Sequence, residues 1–137
     1  MGHKQIIIDT ILGHLPGVQA IYLFGTWDTA DEWLASDVDM AVLLTPQTAK
    51  TVGSLLMAEL HGALESALHK MVDLVNLRRV STVFQKEIIT TGRRIYCDDD
   101  QPADEFEMVT LSLYQKLNAE RAGILEEARK SGRLYNV

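Results

Sequence analysis

Two aspartates at alternating positions, Asp37 and Asp39, stand at the entry to an apolar run over residues 40–44. Such a run is typical of a strand, and because strand side chains point alternately to opposite faces, both carboxylates share one face. Two like charges about 4 Å apart repel by roughly 4 kcal/mol at an effective dielectric constant of about 20, so the pair must shift its pKa values or bind cations. Magnesium is usually held by one or two carboxylates together with substrate phosphates. The pair therefore predicts a magnesium site.

A second short segment, Gly25-Thr26, follows an earlier apolar run that ends in Tyr22-Leu23-Phe24. Glycine allows the backbone to approach a phosphate closely, and a helix that begins after such a turn offers free N–H groups to an anion. The turn and the acid pair together predict a site for a metal ion and a phosphate.

The arrangement Gly25-Thr26, ten residues, Asp37-Val38-Asp39 closely resembles the Gly-Ser-x10-Asp-x-Asp signature of the DNA polymerase β type nucleotidyltransferases. It is most similar to their minimal group, whose members act as antitoxins beside HEPN-domain toxins. A bare Asp-x-Asp also occurs in unrelated metal sites and at solvated strand entries, whereas here a glycine–hydroxyl turn, a fixed gap and an acid pair are combined. Thr26 departs from the signature, since it keeps the hydroxyl of serine and adds a methyl group.

A third acid, Asp73, lies in the middle of the apolar segment 71–77, which predicts a strand. An aspartate inside such a strand is costly unless it is paired, which leaves a functional role and a structural salt bridge both open. In the family that the chain resembles, a third carboxylate comes from the neighbouring strand, and Asp73 matches that position.

The resemblance implies nucleotidyl transfer from ATP with two magnesium ions, for which Asp37, Asp39 and Asp73 are the expected metal ligands and catalytic residues. Asp73 would hold or deprotonate the acceptor hydroxyl, while Gly25 and Thr26 would bind the outgoing pyrophosphate.

The elements that must position these residues follow from apolar spacing. It predicts a helix over 3–14, a strand over 18–24, a long helix from Thr45-Pro46 to about His69, a helix over 81–91, a strand over 93–97 and a final helix over about 103–131. With strands near 40–44 and 71–77, we expect an α/β fold, a small mixed sheet of about four strands covered by helices, in one domain spanning 1–137. The long helix is expected to bury one stripe: Leu55, Leu56, Leu60, Ala63, Leu64, Ala67 and Leu68.

Composition narrows the possible partners. The chain has 137 residues and a net charge of -6, so no global positive charge favours nucleic acid, and direct nucleic-acid binding is not expected. Cys97 is a single cysteine and cannot form an internal disulfide bond. No signal peptide or apolar run of membrane-spanning length is seen, which predicts a cytoplasmic protein that does not enter a membrane.

Two arginine pairs, Arg78-Arg79 and Arg93-Arg94, could bind phosphates through their guanidinium forks or could be solvated strand ends. The acidic run Asp98–Asp100, with Gln101-Pro102 after it, predicts a polar turn.

The resemblance further implies an antitoxin that adenylylates a hydroxyl, a tyrosine, on a HEPN RNase toxin, with the two proteins forming a hetero-oligomer. Part of the final helix, together with Leu134-Tyr135, is a candidate partner surface. Two alternatives stay open: an aminoglycoside-type adenylyltransferase, and a module that neutralises its toxin by binding alone.

Overall fold

The computed structural model describes residues 3–25 and 37–131 of the chain. Within these ranges the elements are α1 (His3–His14), β1 (Ala20–Phe24), β2 (Val38–Leu43), α2 (Pro46–Thr51), α3 (Ser54–Leu68), β3 (Val72–Asn76), a 3-10 turn (Leu77–Arg79), α4 (Thr82–Thr91), β4 (Arg93–Cys97) and α5 (Asp100–Ser131).

The four strands of the described residues form one sheet in the order β3-β2-β1-β4. β1 runs antiparallel to both of its neighbours, whereas β2 and β3 are parallel. The predicted α/β class with a small mixed sheet is thus confirmed.

Helices cover both faces of this sheet, which is why all five residues of β1 are buried. On one face α1 and α3 pack against alternate strand residues: Ile7, Ile11, Leu60 and Leu64 against Ile21, Leu23, Met40 and Val42. On the other face α4 and α5 cover the remaining residues: Ile88, Ala103 and Phe106 against Ala20, Tyr22, Ala41 and Leu43. The domain therefore has three layers.

The single long helix predicted over 45–69 is wrong, because the chain breaks between α2 and α3. Val52 adopts an extended backbone conformation and Gly53 caps α3. The β-branched pair Thr51-Val52 and the glycine that follows it all have low helix propensity, which favours a break at this point. The break changes the predicted stripe: Leu60, Leu64 and Leu68 are buried, but Leu55 is 73% exposed.

The final helix begins earlier than predicted. α5 starts at Asp100, inside the segment expected to be a polar turn, because Pro102 falls in the first helical turn, where a missing N–H costs nothing. Only the first third of α5 packs on the sheet, and no described side chain after Thr110 is buried. None of the described helices is long and apolar enough to cross a membrane.

Candidate active site

The sheet brings the three predicted acids to one end and one face. Asp39 alternates with Val38 and Met40, which face α1 and α3, so its side chain lies on the opposite face, as does that of Asp37. Asp73 of β3 is the direct register partner of Asp39 across the parallel pair β2 and β3. Register partners point to the same face of a sheet. We call Asp37, Asp39 and Asp73 the acid cluster.

Gly25 lies directly against this cluster. It follows β1, whose last residue Phe24 pairs with Asp39, and its φ of 78° is one that L side chains rarely adopt. A Cβ atom added at Gly25 would overlap Oδ2 of Asp39. Glycine is therefore required at this position both by conformation and by space. Thr26 and the acidic segment 27–36 lie outside the described residues.

The electrostatics of the cluster are unfavourable for the protein alone. Burial raises the pKa of Asp39, and the charges of Asp73 and Asp37 raise it further. Within residues 3–25 and 37–131, none of the three carboxylates has a hydrogen-bond donor or an ion-pair partner. A cation would relieve this repulsion.

The donor set fits magnesium, because all three groups are hard carboxylate oxygens. Among the described residues no group of three or more His, Cys, Asp or Glu side chains is arranged to hold a metal ion by itself.

Two residues that the sequence did not single out fix the strand that carries Asp73. β3 is an edge strand of the described sheet, so Val72 turns its N–H and carbonyl outward. The N–H of Val72 donates to Glu65 at 2.9 Å, and Nε2 of His61 lies 2.6 Å from its carbonyl oxygen. His61 and Glu65 stand one turn apart on α3, a spacing that is common on exposed helix faces and gave no signal of this contact.

Two of the four arginines considered as phosphate ligands are occupied by the fold. Arg78 donates to the carbonyl oxygen of Leu44 and to Gln19, at 2.8 Å for the latter. Arg94 donates to Asp104 and Glu107, at 2.8 Å each. Both side chains are partly buried and bound to protein groups. They are therefore neither solvated residues at strand ends nor arginines that are free to bind a phosphate.

Arg94 belongs to a network that joins β1, β4 and α5. The hydroxyl of Tyr22 donates to Glu107 at 2.6 Å, and Glu107 in turn pairs with Arg94. Burial, followed by the bond to Glu107, raises the pKa of Tyr22 far above its usual value. The bond to Asp104 contributes most to raising the pKa of Arg94, so this cation stays charged. We call Tyr22, Arg94, Asp104 and Glu107 the Arg94 network.

Fold and motif together define a class, the polymerase β type nucleotidyltransferases. A family model described as Polymerase beta, Nucleotidyltransferase matches residues 7–101, and the chain belongs to this family.

Within the family, the chain is 37% identical over 125 residues to the protein adenylyltransferase MntA of Shewanella oneidensis, which covers 91% of this chain and 86% of MntA. The chain is also similar to a solved structure of a tri-AMPylated Shewanella oneidensis HEPN toxin in complex with MNT antitoxin. The TM-score is 0.73 and the sequence identity is 35%, and the match covers 93% of this chain and 96% of that chain. A toxin–antitoxin structure with AMP-PNP matches with a TM-score of 0.76 and 35% identity, over 92% and 98%. The resemblance to minimal nucleotidyltransferase antitoxins is confirmed.

Proposed function

We propose that this chain is an antitoxin that transfers AMP from ATP to a hydroxyl, a tyrosine, of a partner HEPN RNase toxin and so neutralises it. Its similarity to the protein adenylyltransferase MntA over 91% of the chain supports this function. So do related structures that contain a tri-AMPylated HEPN toxin and an ATP analogue. The two proteins would form a hetero-oligomer, in the cytoplasm, where ATP is available.

The observation that carries the proposal is the contact between Gly25 and Asp39. It sets Gly25, whose backbone phosphate oxygens can approach, beside three carboxylates that have no hydrogen-bond donor or ion-pair partner among the described residues. A triphosphate held against the backbone at Gly25 would place its phosphates next to the acid cluster. The hydroxyl of Thr26 would add one hydrogen bond to the pyrophosphate that leaves.

Asp37 and Asp39, with Asp73, are the residues that would hold magnesium. When bound, that cation would neutralise charge on the phosphates and so favour displacement at the α-phosphorus. Asp73, on the edge strand, would orient the acceptor hydroxyl and accept its proton. Asp37 and Asp39 would stay ionised through the reaction, because a cation favours the charged form of a carboxylate.

Incubation with ATP labelled at the α-phosphate, magnesium and the cognate HEPN toxin tests the proposal. We expect label on the toxin and loss of its RNase activity. Label on an added aminoglycoside, with none on the toxin, would instead indicate a small-molecule adenylyltransferase. Toxin that is bound and inhibited without any label would show that binding alone neutralises it.

A further inference from the structure

A groove opens at the end of the sheet opposite to the acid cluster, where β1 begins and β2 and β3 end. It consists of two adjoining cavities of about 480 and 300 Å³. Both are lined by Pro46, Arg78, Phe106 and Val109, so they form one continuous depression between α2 and α5. Leu44 follows Asp39 by five positions along an extended chain, which places the groove roughly 16 Å from the acid cluster.

Two exposed cations border the smaller cavity. Lys50 of α2 and Arg79 of the 3-10 turn both line it, and within the described part of the chain neither has an ion-pair partner. Arg78 differs, because it is bound to Leu44 and Gln19 and lies over the ring of Phe106. Asp99 and Glu105 line only the larger cavity, whereas the described lining of the smaller cavity contains no acid. The two cations there, which have no ion-pair partner among the described residues, favour an acidic ligand group.

An apolar row on α5 continues the groove. Val109, Leu113 and Leu117 recur every four residues and therefore share one helix face, on which they are 51%, 46% and 38% exposed. Val109 and Leu113 also line the smaller cavity. No described side chain of α5 after Thr110 is buried, although Tyr114 lies against Lys86 of α4, and a helical segment gains most of its stability in water from packing.

We propose that this groove, formed by Lys50, Arg79, Phe106, Val109 and Leu113 and extended by Leu117, receives an amphipathic helix of the toxin. Its apolar ridge would pack on the row of α5, and an acidic side chain would pair with Lys50 and Arg79. A helix fits because a row at four-residue spacing accepts the ridge of a second helix. Solved structures similar to this chain contain an antitoxin in complex with its toxin, which favours the toxin over a second copy as the occupant. The identity of the partner as the toxin rests on the proposed function.

Docking at this site would leave the acid cluster open to the acceptor tyrosine. The groove then contributes affinity without touching ATP. Changes in the groove should weaken the complex and leave nucleotide binding unaltered.

Two double variants test the proposal: Lys50→Glu with Arg79→Glu, and Val109→Asp with Leu113→Asp. Matched controls are Lys4→Glu for charge and Leu55→Asp for an exposed leucine outside the groove. The dissociation constant for the toxin is measured calorimetrically without ATP, so that no transfer takes place, and the melting temperature of each variant is compared with the parent.

We expect the charge variant to raise the dissociation constant about tenfold and the apolar variant about a hundredfold, while both controls bind like the parent. Folded groove variants that bind the toxin like the parent would overturn the proposal, as would a parent that does not bind it. Loss of a homodimer with toxin binding unchanged would assign the groove to a second copy. Weakened binding in a chain that never transfers AMP would keep the docking site and reject only the transferase function.

Discussion

The acid cluster and the Arg94 network lie on the same face of the same sheet, and they treat charge in opposite ways. In the network every charged group has a partner, with Arg94 2.8 Å from both Asp104 and Glu107. In the cluster three carboxylates stand together with no described donor, and burial, followed by the charges of Asp73 and Asp37, raises the pKa of Asp39. The charges of the Arg94 network are thus neutralised by ion pairs within the protein, whereas those of the acid cluster are not neutralised by any described residue.

The difference indicates what each region is for. Leaving like charges together costs stability, so a sequence that keeps them must gain from a group that binds from outside. The Arg94 network instead fastens α5 to β1 and β4. Substitutions in the two regions should therefore separate activity from stability.

The largest effect is expected from Asp37→Asn combined with Asp39→Asn. Removing both charges should lower the rate of AMP transfer by about three orders of magnitude or more, since about 4 kcal/mol of transition-state stabilisation is lost. The melting temperature should stay unchanged or rise, because close like charges no longer repel. Glu59→Gln, at an exposed position of α3, is the control. Transfer at the parental rate in the double variant would remove both residues from catalysis.

Gly25→Ala should be the most damaging single change. The new Cβ atom would displace the carboxylate of Asp39, and a misplacement of about 1 Å at a reacting centre can cost about a hundredfold in rate. The positive φ adds a cost of about 1 to 2 kcal/mol in the free energy of unfolding. Gly17→Ala is the matched control, because its Cβ would meet nothing within 4 Å. Single-turnover rates and urea unfolding measure the two effects, and an active, stable Gly25→Ala would contradict the contact.

Arg94→Met should show the reverse pattern. It leaves Glu107 and Asp104 without their cation, and the lost charge-assisted hydrogen bonds should lower the free energy of unfolding by about 2 to 3 kcal/mol. The transfer rate per folded molecule should remain close to that of the parent. A double-mutant cycle with Glu107→Gln measures their coupling. A loss of activity without a loss of stability would place Arg94 in the active site and show that the Arg94 network does not serve the fold alone.

The smallest effect is a pH dependence of stability set by Asp39. Its pKa is raised in the folded protein, so folding favours the protonated carboxyl, and that contribution is lost as the pH rises from the unfolded value of 3.8 through the raised folded value. Without magnesium, the parent should therefore lose slightly more stability over this range than Asp39→Asn does. Thermal unfolding at closely spaced pH values measures the difference. Identical profiles would show that folding does not raise the pKa of Asp39.

Much of the site was predictable because the sequence patterns that indicate it involve residues close together in the chain. Alternation over residues 37–44 follows from strand sterics, so the shared face of Asp37 and Asp39 could be stated from the sequence. The glycine turn at Gly25 follows from conformational freedom in the same way. Helix positions were predicted well where spacing and caps agreed, as at Ser81, whose side chain accepts from the N–H of Phe84. At Thr51-Val52-Gly53 the apolar spacing indicated a continuous helix while the residue types disfavoured one, and the prediction of a single helix was wrong.

What the sequence by itself determined is the α/β class, the acid pair and the glycine turn, since each depends on neighbours within a few residues. Tertiary structure alone decided the register that sets Asp73 beside Asp39 and the partners of Arg78 and Arg94. It also decided that Glu65 and His61 cap the edge of β3. Contacts such as that of Tyr22 with Glu107 join residues 85 positions apart, and no local pattern encodes which distant groups meet when the layers pack.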